Sequence, residues 1–262
     1  MKSLPPRILV LAAGQGMRLR PLTDDKPKAL VELAGKSILQ RQGEVFRQLN
    51  LFDVTVLGGY RAELLEPLGY PVVRNPRHEH TNMVSTLFCA QHLMVSDRDL
   101  IISYGDIVYE PRVLQALLAS AAEVSVIVDQ GWRQLWDLRF DNPLSDAETL
   151  KLGEGYQLVE LGKKPKSYNE IQAQYIGLIK IRADRMAVLK ELYASMDRSA
   201  TYDGKRFDQM YMTSFIQHLI HRGWEVRAVP VNHGWLEVDS VEDLQLYEQW
   251  GREGKLSEFY CG

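Results

Sequence analysis

Two glycines, two cations and three carboxylates are the residues of this chain best suited to do chemistry together. Gly14, Gln15 and Gly16 follow directly on an apolar run, Arg7–Ala13, with Arg18 and Lys28 at short range. Glycines in such a turn let backbone N–H groups approach phosphate oxygens with no Cβ in the way. An arginine then suits bidentate phosphate contact, and a lysine adds a compact charge near the reacting centre. Two common phosphate loops do not fit. No Lys-Ser/Thr pair follows these glycines, and Leu19 stands where a dinucleotide fingerprint needs a third glycine. Read alone, Gly-x-Gly after a strand also allows a plain tight turn.

The carboxylates are Asp106, just past the apolar run Leu100–Ser103, and Glu237 and Asp239 in the segment Trp235–Asp239. The carboxyl ends of parallel strands face the crevice where such sheets bind ligands. Residues two apart in a strand project from the same face, so Glu237 and Asp239 could reach one ion. Mg²⁺ takes one or two carboxylates together with phosphate oxygens. Asp106, Glu237 and Asp239 are therefore candidate metal ligands, a set that the resemblance described below favours. A turn residue at Asp106 and a helix N-cap at Asp239 are the competing readings.

The elements that must position these groups alternate. Apolar runs at Arg7–Ala13, Asp53–Leu57, Pro71–Val73, Leu100–Ser103 and Glu123–Asp129 read as strands. Helix-period segments separate them at Ser37–Leu49, Met83–Met94 and Pro111–Ala122, the first behind a Ser cap and the last with proline in its first turn. Such βαβα order predicts an α/β fold with a doubly wound, mostly parallel sheet. After Gly131 the pattern changes. Leu138–Phe140, Gln157–Leu161 and Tyr175–Ile181 read as strands with few helices between them, which predicts an antiparallel extension covering one end of the sheet. Arg182–Ser195 and Phe207–Arg222 read as helices, Trp224–Val231 as a strand and Val241–Trp250 as a closing helix. One domain over 1–262 is expected, with a nucleotide-binding half over about 1–130 and an acceptor-binding lobe and metal-binding tail over about 131–262.

Leu11–Leu33 (LAAGQGMRLRPLTDDKPKALVEL) resembles the signature of the sugar-phosphate nucleotidyltransferase superfamily, LAAGxGxRLxPLTxxxPKxL, at every fixed position. The resemblance implies a Rossmann-like nucleotidyltransferase type A fold and nucleotide contacts at Leu11, Ala12, Ala13, Gly14, Gln15, Gly16 and Gly105. It carries the grip on the triphosphate to Arg18 and the approach to the α-phosphate to Lys28, the two expected catalytic residues. Gly234–Leu244 (GWLEVDSVEDL) is similar to the metal-binding segment of phosphocholine cytidylyltransferases, E-[IV]-D-S-x-x-D, where sugar-type enzymes carry D-x-G-T. Asn82, Met83 and Ser85 resemble the T-N-x-x-S-L of the phosphocholine and phosphonate cytidylyltransferase branch, and Gly59-Tyr60 a nucleotide-contact loop of that branch. Asn82 and Ser85, at a helix start, could offer an amide and a hydroxyl to a pyrimidine edge or ribose; an ordinary cap is the alternative. CTP is thus the expected donor.

Lys164, in Lys163-Lys164-Pro165, is similar to the family lysine that binds the acceptor's phosphate, with a solvated charge pair as the alternative. Trp136, Tyr175, Gly177 and Tyr211 are the other expected acceptor contacts. Trp132, Trp136, Tyr175, Tyr202, Tyr211 and Trp235 could form an aromatic cage for a quaternary ammonium, although aromatics at such periods are more often core. Phosphocholine enzymes also tend to place an acidic residue two before a Tyr; here Gln209 precedes Tyr211, and Asp208 is one place off. The head group stays open among phosphocholine, a phosphonate and other phosphorylated metabolites.

The chain has 262 residues, 45% hydrophobic and 25% charged, with a formal net charge of −3. No basic field attracts nucleic acid, so an anionic substrate needs a local basic site. Cys89 and Cys261 form no C-x-x-C pair, which argues against a zinc cluster or a disulfide framework and suits a reducing cytoplasm. No run is long enough for a membrane span or a secretory leader. The expected partners are CTP or another NTP, a small phosphorylated or phosphonylated acceptor and Mg²⁺; a homodimer is allowed. Two rivals remain: a sugar-1-phosphate nucleotidyltransferase using UTP, dTTP or GTP, and a catalytically silent nucleotide-sensing subunit.

Overall fold

The structure is a computed structural model that describes residues 4–262. Seven strands form the central sheet: β1 (Arg7–Ala12), β4 (Val54–Gly58), β5 (Val72–Arg74), β6 (Leu100–Tyr104), β8 (Val124–Asp129), β11 (Gln174–Ile181) and β14 (Val226–Val231). Their spatial order is β14-β8-β11-β6-β1-β4-β5. All neighbours pair in parallel except β11, which runs antiparallel to both β6 and β8. Small antiparallel pairs complete the strands: β2 (Glu32–Leu33) with β3 (Lys36–Ser37), β9 (Leu150–Leu152) with β10 (Leu158–Leu161), β12 (Thr201–Tyr202) with β13 (Lys205–Arg206), and β7 (Ile107–Tyr109) with β15 (Trp235–Glu237).

Both faces of the sheet are covered, which is why its strands read as continuous apolar runs. Along β1 the side chains alternate between two cores. Ile8 and Val10 pack with α1 (Ile38–Gln48), α3 (Pro111–Ala119) and α7 (Val241–Glu253), while Leu9 and Leu11 pack with α2 (Met83–Cys89), α5 (Met186–Ser195) and α6 (Met212–His221). The helix α1 starts at a capping box made by Ser37 and Gln40, each side chain accepting from the other's backbone N–H.

The second half departs from its expected pattern in two places. Leu138–Phe140 is not a strand: Trp132–Arg139 is helix α4, which seats Trp132, Leu135 and Trp136 in the core. The alternation of Leu138 and Phe140 is the last turn of that helix and its C-cap, with Leu138 exposed. The Tyr175–Ile181 strand does form, as part of β11, yet it lies at the centre of the main sheet instead of covering its end. The β9–β10 and β12–β13 pairs are the ribbons added outside the main sheet in this half. Among the described residues, no helix is long and apolar enough to cross a membrane.

Candidate active site

The phosphate loop is held by its neighbours. Gly16 sits at φ 77°, and a Cβ there would come within 3.0 Å of the Lys28 side chain, so the glycine lets that lysine lie against the loop. The Thr23 hydroxyl donates to the Gly16 carbonyl (2.8 Å), and the Gln15 amide reaches the Thr23 carbonyl (3.5 Å). After β4, the Tyr60 N–H donates to the Ala13 carbonyl (3.0 Å) and its hydroxyl to the Asp24 carbonyl (2.5 Å). Gly59 and Tyr60 thus brace the loop.

Asp106 occupies the two-residue turn between β6 and β7. Its partner in that turn, Gly105, donates to the Leu11 carbonyl at 2.9 Å, and a Cβ on it would stand 2.6 Å from that oxygen. A buried amide on α1 fixes the turn from below: Gln42 donates to the carbonyls of Tyr104 and Ile107, both at 2.7 Å. The antiparallel β7–β15 pair then carries the tail to the same place. Ile107 stands opposite Glu237, and the Val238 N–H donates to the Asp106 carbonyl at 2.9 Å. Carboxylates more than a hundred residues apart meet because of this short pairing.

One carboxylate oxygen from each of Asp106, Glu237 and Asp239 lies within 4.8 Å of the others. Lys28 bridges two of them, with Nζ 2.9 Å from Asp106 and 2.6 Å from Asp239, and Arg18 pairs with Asp239. Burial alone would depress the Lys28 ammonium, but Asp106, Asp239 and Glu237 together hold it above its usual range. Burial drives the Glu237 carboxyl upward, against the pull of Arg139. Oxygen-only ligands match the demands of a hard divalent cation, and Oδ1 of Asp106 is buried with no hydrogen-bond partner. The residues therefore fit Mg²⁺.

Two depressions meet at this cluster. The first is lined by Leu11, Ala12, Ala13, Gly14 and Gly105, by Lys28 and Asp106, and by Asn82, Met83 and Thr86 at the start of α2. The second is lined by Arg18, Glu237 and Asp239 together with Trp136, Asp146, Glu148, Tyr175, Gly177, Tyr211 and Trp235. Most sequence-predicted residues are thus brought together. Four are placed differently. Ser85 turns away from the first depression, and its hydroxyl donates to the Asp208 carbonyl (2.9 Å); Thr86, one residue on, faces the depression instead. Gly59 and Tyr60 act behind the loop. Lys164 lines neither depression, and its ammonium donates to the Ser145 carbonyl beside Asp146. The aromatics do not form an open cage: Trp132, Trp136 and Trp235 are core residues, and Tyr202 packs on Phe207 and His218.

Sequence reasoning missed the groups that support the carboxylates. Arg139, buried on α4, forks onto Asp243 (2.8 and 3.0 Å) and reaches Glu237 (3.3 Å). Asp243 in turn accepts from the N–H groups of Asp239 (3.2 Å) and Ser240 (3.1 Å), so it caps α7 and orients the ligand turn together. Gln42, Asp146 and Glu148 were missed as well. The E-V-D-S-V-E-D spacing, a capping box in which Asp243 lies three after Ser240, was the one available signal for Asp243.

Residues 8–170 match the family model described as a MobA-like NTP transferase domain. The chain is 42% identical over 247 residues to the CTP:phosphoglutamine cytidylyltransferase of Campylobacter jejuni, covering 91% of this chain and 97% of that protein. Two solved structures share the fold. One is the CTP:phosphocholine cytidylyltransferase of Streptococcus pneumoniae, with TM-score 0.68 and 19% identity over 94% of this chain and 99% of that one. The other is the inositol-1-phosphate CTP transferase of T. maritima, with TM-score 0.68 and 19% identity over the whole of both chains.

Proposed function

Because the chain belongs to the MobA-like NTP transferase family, we propose that this nucleotidyltransferase moves CMP from CTP to a small phosphorylated metabolite, with Mg²⁺ bound and pyrophosphate released. The observation that carries the reading is the junction itself: Lys28, Arg18 and three carboxylates stand where the two depressions meet. One depression is floored by backbone and suits a nucleotide; the other carries side chains suited to a second substrate. The 42% identity to an enzyme named for CTP and phosphoglutamine supports both substrates and makes phosphoglutamine the first acceptor to test.

The chemistry asked of the chain is positioning and charge neutralisation. An oxygen of the acceptor phosphate bonds to the α-phosphorus as the bond to the bridging oxygen of the β-phosphate breaks. Acceptor phosphate oxygens are largely ionised near neutral pH, so no strong general base is needed. Lys28 and Arg18 supply positive charge to the triphosphate, and the Gly14–Gly16 backbone holds it. Asp106, Glu237 and Asp239 would hold Mg²⁺, which supplies further neutralisation of the phosphates.

The reading is tested by pyrophosphate release, crossing the four NTPs with phosphoglutamine, phosphocholine, 2-aminoethylphosphonate, glycerol phosphate and hexose-1-phosphates. Turnover confined to CTP and a non-sugar acceptor is expected. Release with UTP and a hexose-1-phosphate would move the chain to the sugar branch, and CTP binding with no release from any pair would leave a nucleotide sensor.

A further inference from the structure

The second depression holds two carboxylates that the transfer reaction does not use. Asp146 and Glu148 come from the segment between α4 and β9 and face the depression that also contains Arg18, Glu237 and Asp239. Asp146 is oriented, since it accepts from the Trp136 indole N–H at 3.0 Å. The main chain of Glu148 is fixed by Gln174, whose side chain accepts from its N–H (3.2 Å) and donates to its carbonyl (2.7 Å). Its carboxylate, by contrast, has no ion pair and accepts no hydrogen bond among the described residues. Burial first, then Asp146 and Asp203, push that carboxyl up to about 7, and no cation offsets them. Nearby, the hydroxyl of Tyr175 is buried beside Tyr104 without a well-formed hydrogen bond. Unpaired polar groups of this kind in a pocket are tolerated where a ligand completes them.

We propose that Glu148, Asp146 and the Tyr175 hydroxyl form a subsite for a protonated primary amine, so that the acceptor carries an N–H-bearing cation as well as its phosphate. This rests on reading the second depression as the acceptor site. The aromatic surroundings favour an N–H cation over a quaternary ammonium, which has no N–H to donate and depends on open ring faces. Trp136 and Trp235 are 4% and 2% exposed, and the guanidinium of Arg139 already lies 5.2 Å from the Trp136 ring centroid. Tyr211 is open but already lies 5.4 Å from the Lys205 ammonium. Carboxylate and phenol oxygens, not ring faces, are what the depression leaves free.

Two acceptors that differ only in N-methylation test this: phosphoethanolamine and phosphocholine. Their binding is measured by titration calorimetry with Mg²⁺ and a non-hydrolysable CTP analogue, and pyrophosphate release with CTP is followed in parallel. Phosphoethanolamine is expected to bind at least tenfold more tightly. Glu148→Gln should bring the two within about twofold, and Tyr175→Phe, which keeps the packing, should narrow the gap partway. Equal affinity, preference for phosphocholine, an unchanged gap in Glu148→Gln, or no binding of either would overturn the subsite. Discriminating binding, together with no pyrophosphate release from CTP and any acceptor of the wider panel, would keep the subsite and overturn the CMP-transfer reading.

Discussion

Around the phosphate loop, position is set mostly by main chain, with the Thr23 hydroxyl and the Gln42 amide in support. Gly105 packs against the Leu11 carbonyl, Tyr60 donates its N–H to Ala13, and the strands behind them are parallel and buried on both faces. Around the acceptor depression, position is set by side chains: Arg139 on Asp243 and Glu237, Trp136 on Asp146, and Gln174 on the Glu148 backbone. A backbone-built site tolerates changes of nearby side chains that leave room for the chain, whereas a side-chain-built site can be respecified one residue at a time. On the function proposed above, the difference suits a donor site that must hold one triphosphate and an acceptor site that must choose among metabolites.

The junction belongs to both regions, so its loss should be the most severe. Asp106→Asn or Asp239→Asn is expected to lower kcat by about a thousandfold or more with the fold intact, read by steady-state kinetics and circular dichroism. Near-normal turnover in either variant would remove the carboxylates from the mechanism. Next comes the side-chain scaffold. Arg139→Met leaves Glu237 and Asp243 without their shared partner, and a fall in activity of roughly 10–100-fold is expected, with a raised Mg²⁺ requirement and partial recovery in Arg139→Lys. Denaturant unfolding should also show a loss of about 3–5 kcal/mol. If Arg139→Met kept its Mg²⁺ dependence unchanged, the scaffold would not act on the ligands.

The backbone half is probed by Gly105→Ala, whose Cβ cannot avoid the Leu11 carbonyl. Equilibrium unfolding should register a loss of about 1–3 kcal/mol, along with weaker CTP binding. A smaller effect is expected at Glu148. Its folded-state carboxyl titrates at about 7 against an ordinary 4.5, so the native state holds a proton that the unfolded chain releases. That contribution is present below about 4.5 and is lost as the pH rises through about 7. Glu148→Gln should therefore match the wild type in stability at pH 4.5 and exceed it at pH 8. Solvent screening of this half-buried group reduces the gain to about 1 kcal/mol. Equal stability at both pH values would show the carboxylate already satisfied. The smallest change expected is for Ser85→Ala, whose hydroxyl donates to the Asp208 carbonyl and which lines neither depression: KM for CTP should move less than about twofold.

The same contrast explains what could be read from the sequence. A backbone cradle demands glycine where no Cβ fits, so Gly16 and Gly105 marked that half, and Asp106 and Asp239 stood out by their places after apolar runs. The acceptor half leaves no such trace. Ser85 and Thr86 are neighbours, and which hydroxyl faces the cleft depends on the phase of α2 against α6 and the Asp208 turn. Arg139 and Glu237 are 98 residues apart, and only the fold brings them together. The error at Leu138–Phe140 has a related source: three residues are too few to separate a strand from the last turn of a helix. The central place of β11 was equally hidden, because strand order in a mixed sheet is set by tertiary packing and not by local pattern.

The CMP transfer proposed for this chain is a single direct displacement at the α-phosphorus, made where the two depressions meet, with no nucleophilic side chain. CTP made chiral at that phosphorus by one sulfur, turned over with the best acceptor, tests it most directly. Inversion in the product, and no pyrophosphate release until acceptor is added, are the predicted results. Retention, or a burst of pyrophosphate from enzyme and CTP alone, would require a covalent enzyme intermediate and contradict the account.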